Sequence, residues 1–246
     1  MRHTNVRQHH RKTKKGLTRV HKHSRRVKDI MKKKGVYIPP AWVDIKEHKN
    51  KNYIVTGVDS KGKIQYIYNP DFILKQRNKK FNRINRMEKD NTLIRKIVKD
   101  LDKSDEAKVA YTMYSTGIRP GGRKTRADKK ASGVIDLKRS HVNLRKDNVN
   151  FKFPGKSGVN IDINVRDKRL SNIMKNKKGK LFHTSQNKVR QYLKQKGDYN
   201  IKDFRTLRAQ KITRSNPAQA PQKVAQALGN TPKVAKDAYI NPSLLK

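Results

Sequence analysis

A formal charge of +44 spread over 246 residues constrains this chain more than any other feature. Lys and Arg number 63 against 19 acidic residues. Self-repulsion of that size works against a compact state unless a polyanion shares the load. The excess is not confined to a tail: residues 1–34 hold 14 Lys/Arg and one Asp, a net of +13, which leaves +31 for the body. Nucleic acid is the partner such a field selects, through phosphate neutralisation and counterion release. An anionic membrane surface fits less well, because no basic segment pairs with a clear apolar helical face.

Hydrophobic content is 33%, low for a globular chain. Once a basic arm is set aside, roughly 210 residues remain, enough for two modest domains. No apolar run approaches the ~18–20 residues of a membrane span, and the basic N-terminus lacks the apolar segment of a signal peptide. The expectation is an intracellular, nucleic-acid-associated protein that is not secreted. There is no cysteine, which removes disulfides, zinc ribbons and thiol nucleophiles. Five of the eight histidines fall in the arm (His3, His9, His10, His21, His23) without metal-ligand spacing, so no metal site is expected.

The pattern along the chain divides it into three parts. Residues 1–34 read as a basic arm, expected to be disordered and to follow phosphates. Residues 35–87 read as a small β-rich domain. Ile38-Pro39-Pro40-Ala41-Trp42 is a rigid lead-in, and the β-rich runs Tyr53 to Val58 and Lys63 to Tyr68 flank the turn Asp59-Ser60-Lys61-Gly62. Residues 88–246 read as mainly helical. Leu93, Ile94, Ile97, Val98 and Leu101 have amphipathic helical spacing, and a second helix runs from about Ser104 to Gly117. Phe151-Lys152-Phe153 and Ile161 to Val165 alternate as strands around Pro154-Gly155-Lys156-Ser157-Gly158, which puts Lys156 at a hairpin tip. Helices are expected again near 186–196, 203–213 and 218–228. Thr231 and Pro232 suit the N-cap and first position of a last short helix that carries Tyr239.

Single residues carry little weight here. Gly155-Lys156-Ser157 is no phosphate loop, because the glycine that motif needs five places earlier is Asn150. An isolated arginine among 63 cations is ordinarily solvated or a phosphate-positioning group, and one tyrosine of nine is ordinarily core or surface. Combination and order are what distinguish Arg119, Lys156, Arg205 and Tyr239.

Tyr-Ser-Thr-Gly-Ile-Arg-Pro-Gly-Gly (114–122), Phe-Lys-Phe-Pro-Gly-Lys-Ser-Gly (151–158), Lys-Asp-Phe-Arg-Thr-Leu (202–207) and Leu-Gly-Asn-Thr-Pro with Ala-Tyr-Ile-Asn-Pro (228–242) resemble type IB DNA topoisomerases of the compact poxvirus and bacterial kind. Ile-Pro-Pro-Ala-Trp-Val-Asp (38–44), Gly-Lys-Ile-Gln-Tyr-Ile-Tyr (62–68), Ile-Asp-Leu-Lys-Arg-Ser-His-Val (135–142) and Val-Arg-Gln-Tyr-Leu (189–193) fall in the same order. The resemblance implies an α+β fold, with a small β-rich N-terminal domain and a mainly helical catalytic domain of the topoisomerase IB/tyrosine recombinase type.

It also implies a role for each matched residue. Tyr239 would be the nucleophile that forms a 3′-phosphotyrosyl link. Arg119 and Arg205 would hold the non-bridging oxygens. Lys156 would be the general acid for the departing 5′ oxygen. Asn230 stands where poxvirus and eukaryotic enzymes have histidine and bacterial relatives commonly have asparagine. Gln65, Tyr66, Tyr68, Arg123, Lys138, Arg139, His141 and Arg208 would contact DNA. The partner would be duplex DNA, bound by a monomer, with no cofactor, metal or ATP. Leu207 departs from the family's usual aromatic.

Two other readings compete. A tyrosine site-specific recombinase shares the nucleophile, but the Ile-Pro-Pro-Ala-Trp and Gln-Tyr-Ile-Tyr segments, and Asp-Phe-Arg in place of His-x-x-Arg, stand against it. A non-enzymatic DNA-compacting protein would explain the charge alone.

Overall fold

The computed structural model describes residues 8–13, 16–21, 23–122 and 131–245. It divides into two compact units, residues 1–79 and 80–246.

In the first unit β1 (Gln8–Thr13) and β2 (Gly16–His21) pair antiparallel. They lead to α1 (Arg25–Lys34), capped by the Ser24 side chain on the Val27 amide and closed by Gly35 at φ 61°. Val27, Ile30 and the partly buried Met31 repeat at helical spacing, and they pack with Ile38, Ile45 and Val55 into one small core. Within the span read as a basic arm, Arg25–Lys34 is thus helical and packed: the apolar stripe of α1 gives it a face to bury, despite its charge.

β3 (Val43–Glu47), β4 (Tyr53–Val58) and β5 (Ile64–Tyr68) form an antiparallel sheet in that order. The Asp59–Gly62 turn joins β4 to β5 as the sequence indicates, with Asp59 accepting from the Lys61 and Lys63 amides. β3 is an addition to the sequence-based expectation. It is short, carries Asp44 at φ 52°, and is irregular in register between Val43 and Lys46, which obscures the alternation.

α2 (Pro70–Lys89) is one unbroken helix of 20 residues, and the division between units falls inside it, at 79/80 rather than at 87/88. The reason is packing. Ile84 and Met87 are buried in the core of the second unit, so that unit starts before residue 88.

The second unit is helical around a small sheet. α3 (Thr92–Lys99), α4 (Asp105–Thr116), α5 (Lys168–Met174), α6 (Gln186–Lys196), α7 (Asp203–Ser215), α8 (Ala220–Leu228) and α9 (Pro232–Ala238) follow the expected order, with α5 an addition. β6 (Val142–Arg145), β7 (Asn148–Pro154) and β8 (Asn160–Arg166) form an antiparallel meander. Phe151, Phe153, Phe182, Phe204, Met113 and Leu193 belong to one buried cluster that binds sheet and helices together. Each such side chain contributes about 1.5–3 kcal/mol by leaving water. A second cluster, Ala209, Val224, Ala225, Leu228, Ala235 and Ile240, packs α7, α8 and α9 together and fixes the end of α9.

Candidate active site

Each candidate side chain except Arg205 sits where a regular element stops, and the stop has a local cause. α4 ends at Gly117, φ 72°, whose amide bonds the Met113 carbonyl, and the chain turns out to Arg119. The Arg119 and Pro120 carbonyls accept from the Val134 and Ile135 amides at 2.9 and 3.0 Å, which fixes the loop from below. Gly121 and Gly133 cross there almost in contact: a Cβ on Gly133 would lie 2.4 Å from the Gly121 nitrogen.

Lys156 opens a single 3-10 turn between β7 and β8, and the Gly155 amide closes the loop on the Val159 carbonyl at 2.7 Å. Arg205 is the third residue of α7. α8 ends at Gly229, φ 60°, with the amides of Gly229 and Asn230 turned back onto Gln226 and Ala225. Thr231 caps α9, and Tyr239 ends it.

The ends of α4, β7 and α8 and the start of α7 meet at one cavity, while Asn230 and Tyr239 do not line it and join it through bonds to Arg119 and Arg205. Arg119, Lys156, Arg205, Ser132, Leu228 and Gly229 line it, with Phe153, Ile161 and Ile163 among its apolar walls. Arg205 is only 2% exposed, and its guanidinium is committed in three directions. Nη1 donates to the Gly117 carbonyl at 2.6 Å, Nη2 to the Leu228 carbonyl at 2.8 Å, and Nε to the Tyr239 hydroxyl at 3.3 Å. Its carbon Cζ also stands 5.2 Å from the centre of the Tyr239 ring. Arg119 donates to Asn230 Oδ1 at 2.5 Å, while Asn230 Nδ2 is buried with no hydrogen-bond partner among the described residues. The site thus gathers two guanidinium groups, a lysine, a phenol and an amide N–H that has no partner among the described residues.

The surrounding charges ease ionisation of the phenol. Burial is the largest single influence on Tyr239 and pushes its pKa up. The charge and hydrogen bond of Arg205, with the charges of Arg119 and Lys202, together outweigh it and hold the hydroxyl below the ordinary tyrosine value. Burial likewise pushes Arg205 down, and Arg119 adds to this, while Tyr239 opposes it. Arginine stays protonated regardless.

The proposed DNA contacts divide differently. In the first unit Tyr66 and Tyr68 are 43% and 44% exposed and stack at 6.0 Å, and Gln65 is tied to Asp59 at 2.7 Å. Arg123 lies outside the described residues. Lys138 is exposed, Arg139 donates to the Val142 carbonyl, and His141 packs at 5.6 Å on the Phe153 ring. Burial, then the charge of Lys138, pushes the His141 pKa down. Arg208 does not join the cavity. It lines a separate depression with Tyr114, Ser115, Asp167 and Lys211, so the arginine bonded to Tyr239 is Arg205.

Some contributors carry no mark in the sequence. Lys202 acts on Tyr239 through space. Gln210, fully buried, donates Nε2 to the Tyr239 carbonyl at 2.8 Å. Nothing in the sequence distinguishes a buried glutamine on a helix from a surface one.

Comparison with known proteins shows the family. The family model described as the catalytic core of eukaryotic DNA topoisomerase I matches residues 69–227, a span that holds Arg119, Lys156 and Arg205 and stops short of Asn230 and Tyr239. The chain is 28% identical to DNA topoisomerase I of monkeypox virus over 226 residues, covering 78% of this chain and 71% of the relative. It is 24% identical to DNA topoisomerase 1B of Acanthamoeba polyphaga mimivirus over 261 residues, covering 87% and 78%. The vaccinia virus (strain Copenhagen) DNA topoisomerase 1B is 27% identical over 226 residues, at 78% and 71%. The chain belongs to the type IB DNA topoisomerase family that the eukaryotic DNA topoisomerase I catalytic core defines.

Proposed function

We propose that the chain relaxes supercoiled duplex DNA by a transient single-strand break carried on Tyr239. The Tyr239 oxygen attacks a backbone phosphorus and its proton passes to solvent. The new O–P bond forms as the bond to the 5′ oxygen breaks, leaving a 3′-phosphotyrosyl link and a 5′-hydroxyl. Arg119 and Arg205 neutralise the charge that builds on the non-bridging oxygens, and preorganised donors of this kind supply much of an enzyme's rate. Asn230 Nδ2, buried and without a partner among the described residues, donates to the same phosphate. Lys156 protonates the departing 5′ oxygen, a poor leaving group as an alkoxide.

The link conserves the phosphodiester energy, so rotation of the free strand followed by the reverse reaction needs neither ATP nor metal. A monomer suffices, with Gln65, Tyr66 and Tyr68 of the first unit on the duplex. The observation that carries this reading is Arg205, which bonds the Tyr239 hydroxyl while lining the cavity that Arg119 and Lys156 share. The test is denaturant trapping on duplexes labelled at either side of the nick. A covalent adduct on the 3′-phosphate side, absent from Tyr239→Phe, supports it. An adduct on the 5′ side, or none, overturns it.

A further inference from the structure

The second half of α2 bears Lys80, Arg83, Ile84, Met87 and Glu88 at i, i+3, i+4, i+7 and i+8, one stripe of a helix. Its apolar members, Ile84 and Met87, join the core of the second unit, and Phe81 beside them is buried. Its charged members do not disperse into solvent. Lys80 Nζ donates to the Ala238 carbonyl at 2.9 Å, the peptide immediately before Tyr239. Arg83 grips Asp203 with both Nε (2.6 Å) and Nη2 (3.1 Å), and Asp203 opens α7 two residues before Arg205. Glu88 meets Arg214 in the last turn of α7 at 3.3 Å. The Asp203 side chain is 3% exposed, and it also accepts from the Asn200 amide at 2.7 Å. One helix therefore holds α7 near both ends and, through Lys80, the peptide that carries the tyrosine.

Two of these contacts fall on the backbone beside the candidate nucleophile and on the first turn of α7. A carbonyl at the exposed end of α9 can take its bond from water. Here Ala238 takes it from Lys80, and Tyr239 takes its own from Gln210, so two successive carbonyls are fixed by side chains from different helices. Fixing the backbone fixes where the phenol oxygen can go. Arg83 does the same for Arg205 by holding the first turn of α7, the turn from which the guanidinium reaches Tyr239.

We propose that Lys80 and Arg83 are positioning residues for the transesterification: α2 acts as a splint that holds the tyrosine-bearing peptide and the Arg205 turn in reacting register. This rests on Tyr239 being the nucleophile and Arg205 its phosphate partner. Neither Lys80 nor Arg83 touches the reacting atoms. Their loss acts on the rates of bond making and breaking and leaves DNA affinity alone, since displacement of about 1 Å in a reacting pair costs up to ~100-fold in rate.

The test is single-turnover cleavage and religation of a duplex oligonucleotide by the full chain, with duplex affinity and the thermal midpoint measured beside it. Lys80→Met, which keeps the stem and loses the donor, is expected to slow cleavage and religation alike by about tenfold or more. The cleavage equilibrium, affinity and midpoint should stay within error. Lys80→Arg, which can donate to the same carbonyl, should restore most of the rate. Arg83→Lys, which keeps the charge and folds with Asp203 still paired, should slow both steps while Tyr239 remains competent. Rates within about twofold of wild type in Lys80→Met and Arg83→Lys overturn the proposal, as does a loss seen only in affinity or an arginine that rescues nothing. If wild type itself forms no adduct, the nucleophile assignment falls, and the proposal with it.

Discussion

Arg205 Nε stands 3.3 Å from the Tyr239 hydroxyl, across 34 residues of sequence, in a guanidinium that is 2% exposed and already bonded to the Gly117 and Leu228 carbonyls. The arginine is thus anchored by backbone on one side and presents what remains to the phenol. Replacement by lysine keeps the charge but loses the fork. Arg205→Lys is expected to lower the cleavage rate by about 100- to 1,000-fold. Arg205→Ala should in addition lower stability by about 1–3 kcal/mol per stranded carbonyl. Rapid-quench cleavage and thermal unfolding of the two variants separate the effects.

Lys156 predicts a leaving-group effect. Lys156→Ala should slow cleavage of an ordinary duplex by ~10²–10⁴-fold. A substrate with sulfur in place of the 5′ bridging oxygen leaves without a proton, so the same variant should cleave it at close to the wild-type rate. An equal deficit on both substrates would remove Lys156 from the acid role.

The pH dependence follows from the cations around the phenol. Burial pushes Tyr239 up, and the Arg205, Arg119 and Lys202 charges bring it below the ordinary value. Removing one of them weakens the downward pull, so the folded pKa rises. The ascending limb of cleavage rate against pH should therefore move to higher pH in Lys202→Met, with little change in the plateau. A limb that stays put, or moves to lower pH, contradicts this account of the site's field.

Gly133 supports the Arg119 loop by its lack of a side chain. A Cβ there would meet the Gly121 nitrogen and Cα at 2.4 and 2.5 Å, and backbone cannot step aside cheaply. Gly133→Ala is expected to destabilise the second unit by more than about 2 kcal/mol. Gly179→Ala, with open space around it, meets only the strain of φ 58° and should cost about 1 kcal/mol. Chemical denaturation of both variants makes the comparison.

The N-terminal segment yields a prediction of a different kind. α1 contributes Val27 and Ile30 to the core of the first unit. Deleting residues 1–34 should therefore destabilise that unit by about 1.5–3 kcal/mol for each core side chain removed. Deleting only 1–22 should chiefly flatten the salt dependence of duplex binding, where every phosphate that goes unneutralised changes the log–log slope by about 0.9. Limited proteolysis and affinity titrations across salt distinguish the two truncations.

Most of the candidate site is legible in the sequence because its residues lie beside punctuation that sequence displays: Gly117 before Arg119, Gly155 before Lys156, Gly229 before Asn230, Thr231-Pro232 before the Tyr239 helix; Arg205, inside α7, has no such mark. The strands around Lys156 and the helices from 186 onward announce themselves by period. α1 does not, because ten charged and apolar residues inside a dense basic run look like the run itself. The splint residues are invisible for another reason. Lys80 and Arg83 find their partners 158 and 120 residues away, and among 63 cations no local pattern marks the two that are bound. Arg208, one turn from Arg205, shows the converse: sequence offers two equivalent arginines, and only the fold sends Arg205 to Tyr239 and Arg208 to the depression beside Tyr114.

The most direct measurement is relaxation of negatively supercoiled plasmid in EDTA without nucleotide, wild type beside Tyr239→Phe at equal DNA occupancy. Complete relaxation by wild type, with none by Tyr239→Phe although it binds as tightly, is the predicted result. Relaxation by Tyr239→Phe, or dependence of the wild-type reaction on metal or ATP, would contradict the account.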